Sequence, residues 1–203
     1  SCCSGWRAWL SYLSAMTNAR LAIFASGNGT NAEAFFRYFK HHLRVQVAAL
    51  ISSRPDAFAL TRARQHGVES LVVDKVMLQS GDLVAWLQQR QITHIVLAGF
   101  NWMIPTNLLQ AFPDRIVNIH PALLPAFGGK GMYGIKVHEA VKKSRVSETG
   151  ITIHLVNEHY DEGKILFQAR CPVAPADTPE TIAQNVHQLE HRHYPHVVEQ
   201  WIG

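Results

Sequence analysis

The sequence predicts an α/β fold, in which a mostly parallel, Rossmann-like sheet is flanked by helices within a single domain. Short apolar runs alternate with stretches of helical spacing through the first two thirds of the chain, and these runs are apolar throughout. Strands of that kind are typical of parallel sheets that are buried on both faces. In the last third, two longer strands separated by a short gap predict an antiparallel hairpin, which a long final helix follows.

The first five strands are predicted from short apolar runs, at 21–25, 45–51, 70–73, 94–99 and 115–119. Helices are predicted between them where apolar side chains recur at helical spacing, at 31–42, 56–66, 82–89 and 105–110. Gly67 is expected to stop the second of these helices. The alternation of strands and helices is what a parallel sheet covered on both faces requires.

The C-terminal third is predicted to form a hairpin from strands at 149–156 and 162–173. The final helix is expected to cover 178–201, because a threonine N-cap is followed there by a proline at the first helical position. Pro195 is expected to bend or interrupt this helix near its end.

The first fifteen residues, SCCSGWRAWLSYLSA, differ in character from the rest of the chain. Their apolar stretch is too interrupted for a signal peptide. Met16 then begins a segment that leads directly into the first strand. We therefore interpret residues 1–15 as extraneous and assign the folded domain to residues 16–203.

The composition excludes several classes of protein. The formal net charge is +4, with lysine and arginine scattered along the chain, so nothing indicates a nucleic-acid partner. The sequence contains no apolar run long enough to span a bilayer, so no membrane partner is expected. Cys2, Cys3 and Cys171 form neither a disulfide framework nor a zinc pattern. A cytoplasmic location is the simplest expectation.

A glycine-rich loop, ASGNGTN at 25–31, connects the first strand to the first helix. Gly27 and Gly29 permit close backbone approach, and Thr30 or Asn31 is expected to cap the helix. A helix N-terminus of this kind suits a phosphate. The loop matches neither the dinucleotide fingerprint nor a Walker loop, so a phosphate cradle and a tight structural turn remain equally open.

The segment IVNIHPALLP at 116–125 ends an apolar strand in Asn118 and His120 and then stiffens the exit with two prolines. An amide donor beside an imidazole can stabilise an oxyanion, although the two residues also suit an ordinary strand end. Asp161 lies between the two hairpin strands and adds a carboxylate, although an aspartate before Glu-Gly is also common in turns. A carboxylate and an imidazole at one site can move a proton.

Four motifs in this order, SGNGTN, AGFNWMIP, NIHPALLP and HYDEGKI, resemble the phosphoribosylglycinamide formyltransferase family, folate-dependent enzymes of the wider formyltransferase superfamily. The resemblance extends from about residue 19 to the C-terminus. It implies a transferase of purine biosynthesis that moves a formyl group from 10-formyltetrahydrofolate, as co-substrate, to the amine of glycinamide ribonucleotide. No metal is implied.

The resemblance also implies roles for individual residues. Asn118, a protonated His120 and Asp161 are expected to be catalytic. Residues expected to bind the ribonucleotide are Gly29, Thr30, Asn31, His187 and Glu190. Residues expected to bind the folate are Asn101, Trp102, Met103, Ile104, Asn118, Val156, Asn157, Glu158, His159, Tyr160 and Asp161. The chain departs from the family pattern at 101–104 and in the glycine-rich segment 126–141, which is interpreted as a loop.

Other functions remain as alternatives. A formyltetrahydrofolate hydrolase is expected to carry an added regulatory domain, and a methionyl-tRNA formyltransferase an added C-terminal domain, for which the chain is expected to have no room. A non-catalytic nucleotide-binding module is the alternative from another class. His187 and His191 lie one helical turn apart, but without a third ligand a solvated helix face is favoured over a metal site. The expected partners are small molecules, in a monomer or homodimer.

Overall fold

The computed structural model describes residues 19–203, in which seven strands form one sheet. The strands are β1 (Ala19–Phe24), β2 (Val45–Ser52), β3 (Glu69–Val72), β4 (His94–Leu97), β5 (Ile116–His120), β6 (Glu148–Leu155) and β7 (Ile165–Pro172). Their order in the sheet is β3-β2-β1-β4-β5-β6-β7. The first five strands pair in parallel, whereas β6 and β7 are antiparallel. The predicted fold class and C-terminal hairpin are therefore confirmed.

The helices are α1 (Thr30–Tyr38), α2 (Phe58–Gln65), α3 (Lys75–Ser80), α4 (Asp82–Gln89), α5 (Thr106–Ala111), α6 (Ile135–Ser144) and α7 (Pro179–Ile202). Two of them, α3 and α6, were not predicted from the sequence. The side chain of Asp74 caps α3 by accepting a hydrogen bond from the Met77 amide at 2.8 Å. Helix α6 begins within the segment that was interpreted as a loop, so that interpretation is wrong from Ile135 onward.

Strands β1, β2, β4 and β5 send side chains from their two faces into two separate hydrophobic clusters. One cluster includes Val117 and Ile119 of β5 together with Tyr194 of α7. The other lies on the opposite face and includes Ile116 of β5 and Leu87 of α4. Because both faces of these four strands are covered, their side chains are mostly apolar, which is the pattern that predicted them.

The final helix is anchored at both ends. Thr178 and Thr181 form the reciprocal hydrogen bonds of a capping box, as the predicted threonine N-cap requires. Pro195 lies inside the helix, which continues to Ile202, so the predicted interruption does not occur. Near this end the fully buried Tyr194 hydroxyl donates a hydrogen bond to the Leu97 carbonyl oxygen at 2.7 Å. That bond fixes α7 against the carboxyl end of β4.

The carboxyl edge of the parallel strands is where the strand order reverses, between β1 and β4. The chain leaves these neighbouring strands in two loops, which touch where the Ser26 amide donates to the Gly99 carbonyl oxygen at 2.9 Å. Ligands of open α/β sheets bind in the crevice at such a reversal. The fold therefore indicates this edge as the place to look for a site.

The segment 1–15, interpreted above as extraneous, lies outside the described residues, so that interpretation stays a prediction. Within residues 19–203, no helix combines the length and the apolar character needed to cross a membrane.

Candidate active site

Strand β5 places Asn118 and His120 side by side on one face of the sheet. Residues two apart in a strand point the same way, and the intervening Ile119 points into the core below α7. His120 is only 4% exposed, whereas Asn118 is half-buried. Asn118 and His120 therefore form a small polar patch on one face of an otherwise apolar sheet.

The chain leaving His120 is held by hydrogen bonds to the neighbouring strands. The Thr152 hydroxyl of β6 donates to the Ala122 carbonyl oxygen at 2.7 Å and accepts from the Leu124 amide at 3.0 Å. Gln168 of β7 donates to the same hydroxyl at 2.9 Å and to the Leu124 carbonyl oxygen at 3.0 Å. The segment after His120, which its prolines predict to be rigid, is thus also held in place by the side chains of Thr152 and Gln168.

The protonation of His120 follows from its partners. Its Nε2 lies 2.7 Å from the carbonyl oxygen of Phe127, which can only accept, so Nε2 carries the hydrogen. Nδ1 then faces Asp161, with 3.6 Å between Nδ1 and Oδ2. Burial lowers the pKa of His120, although the Asp161 carboxylate opposes this effect. The ring is therefore neutral at neutral pH in the ligand-free protein, and the predicted charged ring remains a prediction for the reacting complex.

Asp161 lies in the loop between β6 and β7 and adopts a left-handed backbone conformation, with φ of 55°. Its Oδ2 accepts a hydrogen bond from the Gly129 amide at 3.0 Å. Burial alone would raise the pKa of Asp161, but the neighbouring His154 and His120 side chains and the hydrogen bond from the Gly129 amide outweigh it and lower that pKa. The side chain is therefore a carboxylate at neutral pH.

His154 is a site residue that the sequence interpretation missed. It lies directly opposite Asn118 in the antiparallel pairing of β5 and β6 and is 2% exposed. Its Nε2 is 3.2 Å from Asn118 Nδ2 and 3.6 Å from Asp161 Oδ1. The alternation of TGITIHLV indicates which face His154 occupies, but its partner becomes evident only from the strand register.

The glycine loop leads into α1 with Gly29 as N-cap, at φ of 78°. No side chain of the described residues caps α1, so the predicted cap by Thr30 or Asn31 is wrong, and both residues lie in the first turn. A Cβ at Gly29 would lie 2.6 Å from the Cα of Ala59 in α2, so the turn has a structural reason to be glycine. The uncapped amides still leave the helix start suited to an anion.

The residues predicted to bind the ribonucleotide come together beside this loop. Glu190 of α7 is 4% exposed, and its Oε2 accepts from Asn31 Nδ2 at 2.8 Å and from His187 Nδ1 at 2.9 Å. The hydrogen bond to Glu190 raises the pKa of His187. His191 Nε2 lies 3.0 Å from the Thr30 hydroxyl. Helices α1 and α7 are therefore joined through polar groups at the carboxyl edge.

The two segments predicted to bind the folate border one apolar cluster. Ile104 is buried within the second hydrophobic cluster, and Trp102 and Val156 pack against it. Above this floor the remaining residues of the two segments are mostly exposed: Asn101, Met103, Asn157, Glu158, His159 and Tyr160. An apolar floor bordered by exposed residues fits a flat heterocycle such as a pterin.

The histidine pair on α7 does not form a solvated face only, since His187 bonds Glu190 and His191 contacts Thr30. The two rings are stacked, with 6.4 Å between their centroids. Across residues 19–203, no three histidine, cysteine, aspartate or glutamate side chains are grouped as metal ligands would be. That the reaction needs no metal stays a prediction.

Comparison with known proteins identifies the family. The profile of the family described as formyl transferase matches residues 19–198. The chain is 43% identical over 186 residues to the chloroplastic phosphoribosylglycinamide formyltransferase of Arabidopsis thaliana, covering 88% of this chain but 64% of that protein. It therefore spans just under two thirds of that relative's length. It is 35% identical to the phosphoribosylglycinamide formyltransferase of Bacillus subtilis, covering 91% of this chain and 95% of the relative.

A solved structure agrees. The phosphoribosylglycinamide formyltransferase of Bacillus halodurans superposes with a TM-score of 0.82 at 37% identity, covering 91% of this chain and 95% of the other. With the profile match and the Bacillus subtilis relative, this shows that the chain belongs to the formyl transferase family, within its phosphoribosylglycinamide formyltransferase group.

Proposed function

We propose that the chain transfers the formyl group of 10-formyltetrahydrofolate to the amine of glycinamide ribonucleotide, in purine biosynthesis. The observation that carries this proposal is the convergence of Asn118, His120 and Asp161 in a member of the formyl transferase family. The names of the Arabidopsis thaliana and Bacillus subtilis relatives support this acceptor. We assign the catalytic domain to residues 16–203, since the family match covers 19–198.

The ribonucleotide is bound by the glycine loop and α7. The uncapped amides of Thr30 and Asn31 at the start of α1 donate hydrogen bonds to the phosphate, helped by the helix dipole. Glu190 is held in place by Asn31 and His187, and a buried carboxylate in that position suits the ribose hydroxyls, which donate to it.

The folate is bound between the segments 101–104 and 156–161. Ile104 and Val156 form the apolar floor on which the pterin ring rests. Exposed backbone groups around that floor supply the hydrogen bonds that orient the ring. Asn118 borders this pocket, because Val156 is hydrogen-bonded to the strand that carries Asn118. The Val156 amide donates to the carbonyl oxygen of Ile116 in β5 at 2.9 Å.

Asn118 and His120 stabilise negative charge on the formyl oxygen. The folate supplies the formyl group, the attacking amine loses one proton and the departing folate nitrogen gains one. Asn118 donates from Nδ2 to the developing oxyanion. His120 Nδ1 is unprotonated in the ligand-free protein and takes up a proton from solvent as the oxyanion forms, because negative charge beside the ring raises its pKa. It returns that proton to solvent after the intermediate collapses. The ring then donates to that oxygen while Nε2 stays bonded to Phe127.

Asp161 moves the proton. Its lowered pKa keeps it ionised, so it is ready to accept the proton that the amine loses. It lies 3.6 Å from His120 Nδ1, close enough to stabilise the charged ring without a hydrogen bond in the ligand-free state. One carboxylate therefore serves both as proton relay and as counter-charge.

A formyl-folate hydrolase and a non-catalytic binding module are the alternatives. The hydrolase would use the same oxyanion donors with water in place of the amine. The hydrogen bond between Asn31 and Glu190 favours a ribonucleotide as the formyl acceptor. A hydrolase, whose acceptor is water, would have no use for a buried carboxylate beside the proposed phosphate site. A binding module leaves Asn118, His120 and Asp161 without a reason to converge.

The test is an absorbance assay of formyl-folate conversion with and without glycinamide ribonucleotide, with the formylated product identified by mass spectrometry. We expect conversion only when the ribonucleotide is present. His120→Ala should abolish most of it, whereas Asp56→Asn should not, because Asp56 is exposed and pairs only with Arg54 on the surface. Conversion without the ribonucleotide would support the hydrolase instead. Failure to convert formyl-folate under either condition would contradict the proposed function.

The location, oligomeric state and partners of the enzyme complete the proposal. We assign it to the cytoplasm, as a monomer or homodimer with small-molecule partners and neither nucleic acid nor membrane bound. The moderate net charge of +4 and its scattered basic residues support this assignment. Fractionation of the source cells and light scattering of the purified protein test it.

A further inference from the structure

His154 is a buried histidine in the middle of the sheet, where a polar ring is unusual. It lies on β6 and is 2% exposed, on the face that also carries Asn118 and His120. A polar ring buried there is stable only if both nitrogens have partners. The partners of its two nitrogens define what the ring does.

The partners fix the tautomer of the ring. His154 Nδ1 lies 2.9 Å from the carbonyl oxygen of Leu155, which can only accept, so Nδ1 carries the hydrogen. In the neutral ring Nε2 is then an acceptor. Asn118 Nδ2, at 3.2 Å, is the donor that faces it. The backbone of β6 thus fixes the tautomer of the His154 ring, and the ring in turn fixes the orientation of the Asn118 amide.

An amide side chain can present either its oxygen or its nitrogen to a given point, and the two orientations have the same shape. Only the nitrogen can stabilise an oxyanion. An acceptor at His154 Nε2 draws Asn118 Nδ2 toward the site and excludes the oxygen from that place. One hydrogen of Nδ2 is bonded to His154, and the second is left to donate.

We propose that His154 is a positioning residue for formyl transfer, which holds the Asn118 amide with its nitrogen facing the reacting formyl oxygen. This inference rests on the proposed function. His154 touches no reacting atom and acts through Asn118. Its Nε2 also lies 3.6 Å from Asp161 Oδ1, so the ring adjoins both groups that act on the formyl centre.

Three substitutions separate positioning from filling space. A glutamine carries its terminal oxygen about as far from the backbone as Nε2 of histidine, whereas asparagine reaches only as far as Nδ1. His154→Gln therefore keeps an acceptor for Asn118, and His154→Asn and His154→Phe remove it. We expect His154→Asn and His154→Phe to lower kcat about 10- to 100-fold with little change in either KM, and His154→Gln to recover most of that loss.

The decisive measurement is a double-mutant cycle with Asn118→Ala. If His154 acts through Asn118, His154→Asn should cost about 10-fold or more in the parent and less than about 3-fold in the Asn118→Ala background. Equal losses in both backgrounds would overturn the proposal, as would near-parent kcat in His154→Asn. Thermal unfolding of each variant identifies a loss that comes from misfolding, and such a loss would show equally in both backgrounds.

A readout independent of activity distinguishes failure of this inference from failure of the proposed function. The side-chain amide of Asn118 gives a pair of NMR signals, assigned by their absence in Asn118→Ala. We expect them to be protected from exchange with solvent in the parent and in His154→Gln but not in His154→Asn. Signals that exchange equally fast in all three proteins would overturn the positioning role, even if the parent transfers formyl groups.

Discussion

Two carboxylates of the candidate site have unlike surroundings. Glu190, on the glycine-loop side, accepts hydrogen bonds at 2.8 Å from Asn31 and at 2.9 Å from His187. Asp161, on the strand side, is bonded at 3.0 Å only to a backbone amide and stays 3.6 Å from both His120 and His154. The first carboxylate is paired before any ligand arrives, whereas the second lies near two rings without bonding either.

The difference between the two sides matches the difference between binding and catalysis. Groups that are already paired hold a ligand in one orientation, and their bonds change little as the reaction proceeds. Groups that lie close but unpaired can strengthen their interactions when charge appears, and only such a gain accelerates a reaction. The predictions below test whether the two sides divide in this way.

The largest expected effect is that of Asp161→Asn, which keeps the shape of the side chain and removes its charge. We expect kcat to fall at least about 100-fold while both KM values change little. Asp161 raises the pKa of His120, so the variant should also move to lower pH the alkaline limb of the kcat profile, along which the charged ring is lost. Steady-state kinetics over a pH series measure both effects. A kcat near that of the parent would contradict the proposed role.

The two glycines of the loop should respond very differently to alanine. A Cβ at Gly29 would lie 2.6 Å from the backbone of Ala59, and its φ of 78° is strained for alanine, whereas nothing lies within 4 Å of a Cβ at Gly27. We expect Gly29→Ala to lower the free energy of unfolding by more than about 2 kcal/mol, and Gly27→Ala by less than about 1 kcal/mol. Denaturant unfolding compares them. Similar values would show that α2 moves aside easily.

Glu190→Gln should weaken binding rather than chemistry. The variant removes the charge that Asn31 and His187 share and that the ribose hydroxyls share in the proposed complex. A hydrogen bond to a charged group contributes about 1.5–3 kcal/mol. We expect the KM for the ribonucleotide to rise about 10-fold or more, with kcat and the folate KM nearly unchanged. If kcat falls as steeply as it does in Asp161→Asn, the division between the two sides is wrong.

The smallest expected effect is that of Thr30→Ala. The Thr30 hydroxyl lies at the surface end of the glycine-loop side, where it contacts His191 at 3.0 Å. We expect the KM for the ribonucleotide to rise about 3-fold or less, because an exposed neutral hydrogen bond contributes only about 0.5–1.5 kcal/mol. Thr30→Ser, which keeps the hydroxyl, is the matched control and should behave like the parent. A larger change in the serine variant would show that the methyl group, not the hydroxyl, matters.

Much of the fold was predictable because the relevant signals are local. The apolar runs indicated the five parallel strands, since burial on both faces of the central ones leaves little choice of residue. Two longer strands separated by a short gap indicated the hairpin, and Thr178 with Pro179 indicated the start of α7. Helix α6 was missed because glycines at 128, 129, 131 and 134 precede it and resemble a continuous loop. Helix α3 has only six residues, too few to show a helical period.

The candidate site was predictable where a motif carries it. Asn118, His120 and Asp161 were named from the family pattern, and the structure brings them together. His154 was missed because the reason for it lies 36 positions away, in the register of two antiparallel strands. No local pattern in β6 distinguishes a histidine that faces Asn118 from one that merely fills the sheet.

Gly163, at the end of the loop that carries Asp161, limits how that loop can vary in length. A Cβ at this position would lie 1.6 Å from the Leu155 carbonyl oxygen, and the Leu155 amide donates to the Lys164 carbonyl oxygen at 2.9 Å. The loop is therefore closed at a fixed number of residues, and an insertion within it would displace the carboxylate from His120. Attempts to change the proposed folate binding should accordingly replace exposed side chains, such as His159 and Tyr160, and leave the number of residues in the loop unchanged.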